Sequence, residues 1–305
     1  MSQIRALGDV TEMIGNTPLL QLRPLAPAGN LYAKCEFQNP IAIKDRIVRQ
    51  IIDDLAASGQ LKAGDTIIEC SSGNTGMALA TIAAVRGYRA IIVMSEIQSA
   101  ERRKVMRALG ATLVLTPASE GTAGAKRRLG AMCEAHPEYV YLGQHVNPSN
   151  PRAHYLTTGP ELWRDTGGLI DVFVTPLGTG GTICGAGRYL KEQKPGVRLV
   201  AIEPRESPYI SQGIFRPHRM MGTAPGFVPA TLDRSVIDEI KLVSEAEAFE
   251  MCRRIAAEVG VLVGISAGAA AFAAQRIAND NPEQIVVSTF CDSGERYLSV
   301  DGLFI

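Results

Sequence analysis

At 305 residues the chain is long enough for roughly two domains with a sizeable core, which excludes a small fold held by staples. Lysine plus arginine and aspartate plus glutamate each number 31, so the formal charge is zero and no footprint for nucleic acid or a membrane surface stands out. Six cysteines (Cys35, Cys70, Cys133, Cys184, Cys252, Cys291) form no C-x-x-C pair and have no zinc-like histidine spacing, which points to reduced thiols in a cytoplasm and to no metal site.

The segment Met1 to Asp9 lacks an apolar signal core, and no run approaches the roughly 20 apolar residues of a membrane span. From there short β-rich runs alternate with amphipathic segments of helical length, the pattern of parallel sheets covered by helices. The first set of strands is expected at 66–70, 90–94, 112–115 and 139–142, with helices over 44–58, 75–86, 99–109 and 120–135. Gly87, Gly110 and Pro137 stop three of these helices. A second set follows at 171–175, 197–203 and 284–290, with helices near 152–165, 181–193, 244–259 and 266–279. Two sets of strands imply two α/β lobes. Ser244-Glu245-Ala246-Glu247 is a capping box that opens the helix at 244. The stretch 204–235, rich in Pro, Gly, Arg and His, reads as irregular loop.

Four places carry chemistry. Lys44 stands at a helix start behind Ile41, Ala42 and Ile43, a setting that, if it buries the amine, disfavours ammonium and suits imine formation or proton transfer; an ordinary solvated lysine is the alternative. Ser71-Ser72-Gly73-Asn74-Thr75-Gly76 joins a strand to an apolar helix, and its hydroxyls and amides suit a carboxylate, though an ordinary helix cap has the same composition. Pro176-Leu177-Gly178-Thr179-Gly180-Gly181-Thr182 also joins strand to helix. Its glycines let the backbone approach an anion, and amides, helix dipole and threonine hydroxyls face it, as a phosphate cradle requires; a plain connecting turn is the alternative. Ile183 stands where a dinucleotide fingerprint wants glycine, and no Gly-Lys-Ser/Thr ending makes a P-loop. Finally, Gly264-Ile265-Ser266-Ala267-Gly268 matches the nucleophile elbow of α/β-hydrolases. That family orders its triad Ser, acid, His, whereas His136, His145, His154 and His218 all precede Ser266, so the hydrolase reading fails.

Taken with Ile14-Gly15-Asn16-Thr17-Pro18-Leu19, Lys44-Asp45-Arg46, Glu101-Arg102-Arg103, Thr157-Thr158-Gly159-Pro160-Glu161 and Gly294-Glu295-Arg296-Tyr297-Leu298-Ser299, these motifs resemble the O-acetylserine sulfhydrylase (cysteine synthase) family almost end to end, its B-type members in particular. The resemblance implies a fold type II pyridoxal-phosphate enzyme, tryptophan synthase β-like. Its two lobes would each be a mostly parallel twisted sheet flanked by helices. A larger cofactor-binding domain would span 1–40 and 146–305, and a smaller, mobile, substrate-closing domain 41–145. It implies pyridoxal 5'-phosphate bound as an imine at Lys44, its phosphate held by Gly178, Thr179, Gly180, Gly181 and Thr182, its 3′-oxygen by Asn74, and its pyridine nitrogen facing Ser266. Ser71, Ser72, Thr75 and Gln144 match positions that grip the substrate carboxylate.

The implied reaction is ping-pong β-replacement on O-acetylserine with sulfide, giving L-cysteine. One departure bears on substrate choice. The loop before Lys44 is one residue shorter than the family usually has, and Ala42 replaces its serine. This leaves open a specialised synthase that uses O-phosphoserine, or thiosulfate, a thiocarboxylate carrier, homocysteine or an amine as nucleophile. Arg216 and Arg219 are candidate phosphate partners by charge, though solvated loop arginines are the more ordinary reading of both. Cys291 is expected to be a buried, inert thiol. A homodimer is implied, with a serine acetyltransferase or a sulfur-carrier protein as a further partner; a non-catalytic docking homologue is the reading from another class. The chain ends at Phe304-Ile305, without the longer tail of many relatives.

Overall fold

The computed structural model describes residues 6–304, so the parts of the terminal readings that fall on Met1–Arg5 and Ile305 lie outside the described residues. In chain order the elements are β1 (Leu19–Gln21), β2 (Asn30–Lys34), α1 (Lys44–Ala57), β3 (Thr66–Cys70), α2 (Asn74–Arg86), β4 (Arg89–Ser95), α3 (Ala100–Ala108), β5 (Thr112–Thr116), α4 (Gly121–Ala135), β6 (Val140–Tyr141), α5 (Ser149–Ala153), α6 (Gly159–Asp165), β7 (Val172–Pro176), α7 (Gly181–Gln193), β8 (Arg198–Pro204), α8 (Tyr209–Gln212), β9 (Glu239–Val243), α9 (Glu245–Arg254), α10 (Ile265–Asp280) and β10 (Ile285–Thr289). Among the described residues no helix is long and apolar enough to cross a membrane.

The chain divides into two compact units, with breaks after Ile14, Ile43 and Ser149. The smaller holds Lys44–Ser149 together with the residues up to Ile14. Its four strands run parallel in the order β5-β4-β3-β6. Parallel strands need helical crossovers, and those helices cover the sheet, which is why β3 is buried along nearly its whole length. Helix α1 turns Ile47, Val48, Ile51 and Ile52 inward, and α2 buries Met77, Ala78, Leu79 and Ala80 before Gly87 ends it in the left-handed conformation at φ 72°. The expected stop signals at Gly110 and Pro137 also stand immediately beyond α3 and α4.

The larger unit holds Gly15–Ile43 and the residues from Asn150 on. Its six-stranded sheet has the order β1-β2-β10-β7-β8-β9, parallel except for β1, which pairs antiparallel with β2. On one face α10 and α9 pack a core of Val172, Val174, Val200, Val286, Phe249 and Ile277, and on the other Phe173, Leu199 and Val287 meet Leu162, Ile183 and Leu190. The capping box at Ser244 forms as expected: the hydroxyl accepts from the Glu247 amide, and Glu247 Oε2 accepts from the Ser244 amide at 2.8 Å. The helix expected over 152–165 is instead α5, a π-helical stretch over His154–Thr158, and α6. Three strands escape the periodicity reading. Strand β1 is three residues long, β2 ends in a charged residue, and β9 alternates Glu239 and Lys241 with Ile240 and Leu242 at the sheet edge. Lys34 is fully buried because Glu161 and Asp165 each lie 2.9 Å from its amine.

Candidate active-site residues

In the smaller unit the strand-to-helix turn after β3 carries Ser71, Ser72 and Asn74 half-buried and Thr75 buried. Ser71 Oγ accepts from the amides of Gly73 at 3.3 Å and Gly76 at 3.1 Å, so one hydroxyl ties the loop to the first turn of α2. The Thr75 hydroxyl donates to Gln144 Oε1 at 2.7 Å, both side chains being buried. Thus Thr75 and Gln144, 69 residues apart, stand together at the C-terminal ends of β3 and β6, where parallel sheets place their ligands. Arg102 of α3 flanks the same loop, for a Cβ built on Gly73 would lie 3.7 Å from its Nη1.

Lys44 is the first residue of α1 and is half-buried rather than sealed in. The same unit contains His145, whose imidazole is pushed down to about 4 by burial and then by the charges of Lys126 and Lys44, so it is neutral at physiological pH. Beneath the two loops lies Glu69 of β3, 1 % exposed. Its Oε1 accepts from the Cys70 amide at 2.8 Å and its Oε2 from the Gln144 amide at 3.1 Å, and the Gly143 amide also bonds it.

In the larger unit the loop before α7 is fixed from several sides. Thr179 Oγ1 accepts from Asn150 Nδ2 at 3.0 Å and from the Gly181 amide at 3.3 Å, and the Thr231 hydroxyl donates to the Thr179 carbonyl at 2.6 Å. Gly180 sits at φ 82°, and a Cβ there would lie 2.7 Å from Leu232 Cδ1; Cβ atoms at Gly178 and Gly181 would strike the Gly222 carbonyl and Asn150 Oδ1. The amide of Cys184 bonds the Gly180 carbonyl, so the amides of Thr182 and Ile183 precede the regular ladder of α7. Thr182 Oγ1 lies 3.2 Å from His154 Nε2, and His154 Nδ1 lies 2.9 Å from Thr158 Oγ1.

Ser266 is buried in the first turn of α10. The apolar run before it is not a strand, since only Val263 makes a bridge, to Ser293. Cys291 is half-buried, not buried as expected. Of the two candidate arginines, Arg219 is engaged elsewhere: its Nε is 2.8 Å from Glu245 Oε2 and its Nη1 3.0 Å from the Asp301 carbonyl. Asn150, His154, Thr231 and Glu69 were not singled out from sequence. Glu69 alone left a trace, as a lone acid inside the apolar run Ile67-Ile68-Glu69-Cys70.

A family model described as pyridoxal-phosphate dependent enzyme matches residues 10–292. A cysteine synthase from Staphylococcus aureus is 44% identical over 300 residues, covering 97% of this chain and 96% of that one. Among solved structures, an O-ureido-L-serine synthase superposes with TM-score 0.94 at 42% identity, covering 97% of this chain and 95% of that one. An O-acetyl serine sulfhydrylase, isoform 3 from Entamoeba histolytica, superposes with TM-score 0.94 at 38% identity, covering 99% and 92%.

Proposed function

The chain belongs to the pyridoxal-phosphate-dependent enzymes, and from that premise we propose that it converts O-acetyl-L-serine and sulfide into L-cysteine and acetate. The residues of the larger unit fit the cofactor's phosphate. Gly178, Gly180 and Gly181 keep the backbone where side chains would collide, and the amides at the start of α7 with the Thr179 and Thr182 hydroxyls make a donor set for a dianion. Lys44 supplies the primary amine that an aldehyde needs. Asn74 is assigned to the ring 3′-oxygen and Ser266, with its neutral hydroxyl, to the pyridine nitrogen.

When bound, the cofactor supplies an electron sink for the bond broken at Cα. Lys44 Nζ then removes the Cα proton and later returns it, while sulfide replaces acetate at Cβ. The observation that carries the reading is the buried Thr75–Gln144 pair beside the Ser71 turn. Hydroxyls, a carboxamide and the N-terminal amides of α2 form a neutral donor set that suits the substrate's carboxylate and holds it against the pull of water.

A second reading is favoured by one feature, the shortened loop with Ala42 and Ile43 buried immediately before Lys44. It makes the chain a synthase of a different β-substituted alanine, as the resemblance to an O-ureido-L-serine synthase suggests. All six cysteines are free, which suits a reducing cytoplasm, and we read the active form as a homodimer by the same family resemblance.

Product analysis tests the two readings. Purified enzyme given O-acetyl-L-serine and sulfide is expected to form L-cysteine, and Lys44→Ala to lower that rate by ~10³-fold or more. Formation of a different β-substituted alanine with another nucleophile, and no L-cysteine from sulfide, replaces the first reading by the second; turnover of O-phospho-L-serine but not O-acetyl-L-serine with sulfide keeps the product and changes the donor.

A further inference from the structure

Glu69 has no part in the reaction as described, yet beneath the Thr75–Gln144 bond it is a second link between the two ligand loops of the smaller unit. One oxygen takes the amide at the exit of β3, and the other takes the amide of Gln144, with Gly143 adding a third main-chain donor. Gly143 turns at φ 68°, in the left-handed region, between β6 and Gln144. The carboxylate is therefore bonded at once to the strand end that leads into Ser71–Gly76 and to the turn that presents the Gln144 side chain to Thr75.

We propose that Glu69 is a positioning residue whose carboxylate sets the register of the Ser71–Gly76 and Gln144 loops, so that one proton on it loosens the grip on the substrate carboxylate. This rests on the assignment of those loops to the substrate. A carboxylate offers both oxygens as acceptors, whereas a carboxylic acid turns one of them into a donor and opposes an amide already pointing at it. By linkage, the main-chain bonds that draw the carboxyl's pKa down are the bonds its ionisation strengthens.

Burial pushes the Glu69 carboxyl up to about 7, with the three amides and Lys126 pulling the other way, so both forms are populated near neutral pH. The thiols and the phenol around it are moved further from neutral pH. Cys70 on the same strand is pushed up to about 11 by burial, and burial likewise raises Cys133 on α4 and Tyr141 on β6. Lys126 on α4 is lowered from the ordinary lysine value by burial, and His145 is pushed down to about 4.

The test is the pH dependence of KM and kcat for O-acetyl-L-serine between pH 6 and 8.5, in wild type, Glu69→Gln and Thr75→Val holoenzymes. It is paired with amide exchange of segments 69–76 and 143–147 in the absence of substrate, corrected for intrinsic rates. Wild-type KM is expected to fall by about tenfold through pH 7, the weight of roughly one such hydrogen bond, with kcat changing less, and Glu69→Gln to stay at the acid value throughout. Titration of the substrate amine is common to all three proteins and cancels in the comparison.

Protection of both segments is expected to rise through the same pH. A merely structural buried acid gives the opposite sign, because unfolding releases the carboxyl to water and is favoured by high pH. Should Glu69→Gln not fold, the wild-type exchange profile decides by itself. Thr75→Val raising KM while Glu69→Gln keeps the wild-type pH dependence overturns the proposal and leaves the carboxylate reading standing. Both variants leaving KM unchanged overturns the two together.

Discussion

The turn before α7 is braced at one residue, Thr179, by Asn150 on its hydroxyl and Thr231 on its carbonyl, whereas the turn before α2 is tied by its own Ser71 hydroxyl and, at Thr75, to Gln144. Both are turns from a parallel strand into a helix, and both offer amides at the positive end of that helix. They differ in what fills the space behind the backbone. Leu232, the Gly222 carbonyl and Asn150 crowd all three glycines of the first, while in the second Gly76 is crowded by Met106 and Ile92 but Gly73 has only Arg102 Nη1 within reach, at 3.7 Å. A ligand that stays bound through every turnover gains from a cradle that cannot move. A ligand that enters and leaves each cycle needs a loop that reorders at little cost. The contrast matches the proposed roles, cofactor phosphate for the first loop and substrate carboxylate for the second.

Gly180→Ala attacks the rigid loop and carries the largest expected effect. Alanine at φ 82° adds about 1 kcal/mol of backbone strain, and the overlap with Leu232 adds about 1–3 kcal/mol more. A drop in the unfolding midpoint together with loss of bound cofactor on dialysis, followed by absorbance, is the expected outcome. Full cofactor retention breaks the claim that this backbone is locked.

The two loops are also expected to differ in how pH reaches them, because Glu69 and His145 belong to the smaller unit. The folded imidazole of His145 is depressed from 6.5 to about 4, so its contribution is full above pH 6.5 and is lost as pH falls toward 4. The folded carboxyl of Glu69 is raised from 4.5 to about 7, so its contribution is full below 4.5 and is lost as pH rises toward 7. Between pH 4.5 and 6.5 the two slopes oppose, and the denaturant midpoint of the smaller unit is expected to be nearly flat. Glu69→Gln removes one slope, and its midpoint is expected to climb up to pH 6.5, at up to ~1.4 kcal/mol per pH unit for one proton. Parallel pH curves for wild type and variant rule out this coupling.

Ser71→Ala tests the self-held loop at smaller scale. It removes the acceptor of the half-buried Gly73 amide and the buried Gly76 amide at the start of α2, so a cost of about 1–2 kcal/mol is expected. The readout is KM for O-acetyl-L-serine, raised several-fold with cofactor content unchanged. Loss of cofactor instead means that the loop does not act on substrate alone.

Much of this contrast is legible in the sequence alone. The glycine pattern at 178–181 and the hydroxyl pattern at 71–76 follow from what each backbone must do, and α7 begins and ends where the sequence reading put it, at 181 and 193. What stayed hidden is tertiary. Asn150, Thr231 and His154 reach the α7 loop from 28 to 52 residues away, and no local pattern marks a side chain as a brace. Glu69 reads as an odd polar residue in a strand, because its partners are main-chain amides that carry no sequence signature. The edge strand β9 was missed for a different reason: alternating charges on a solvated edge look like a helix face or a loop until a neighbour strand is known.

Gly73→Ala is the smallest expected effect and the sharpest control on the comparison. Gly73 is not in the left-handed region, and the added Cβ meets Arg102 at ordinary van der Waals distance. The methyl makes no clash there, so stability is expected to change by no more than about 1 kcal/mol. The same chemical change at Gly180 is expected to cost several times that. A calorimetric or denaturant midpoint for the two variants, measured side by side, reads the difference between a backbone packed against its neighbours and one left room to move. Equal losses in both place the two loops in the same mechanical class and remove the reason for assigning them different ligands. A KM shift in Gly73→Ala with an unchanged midpoint means that the new methyl stands where the substrate's carboxylate approaches.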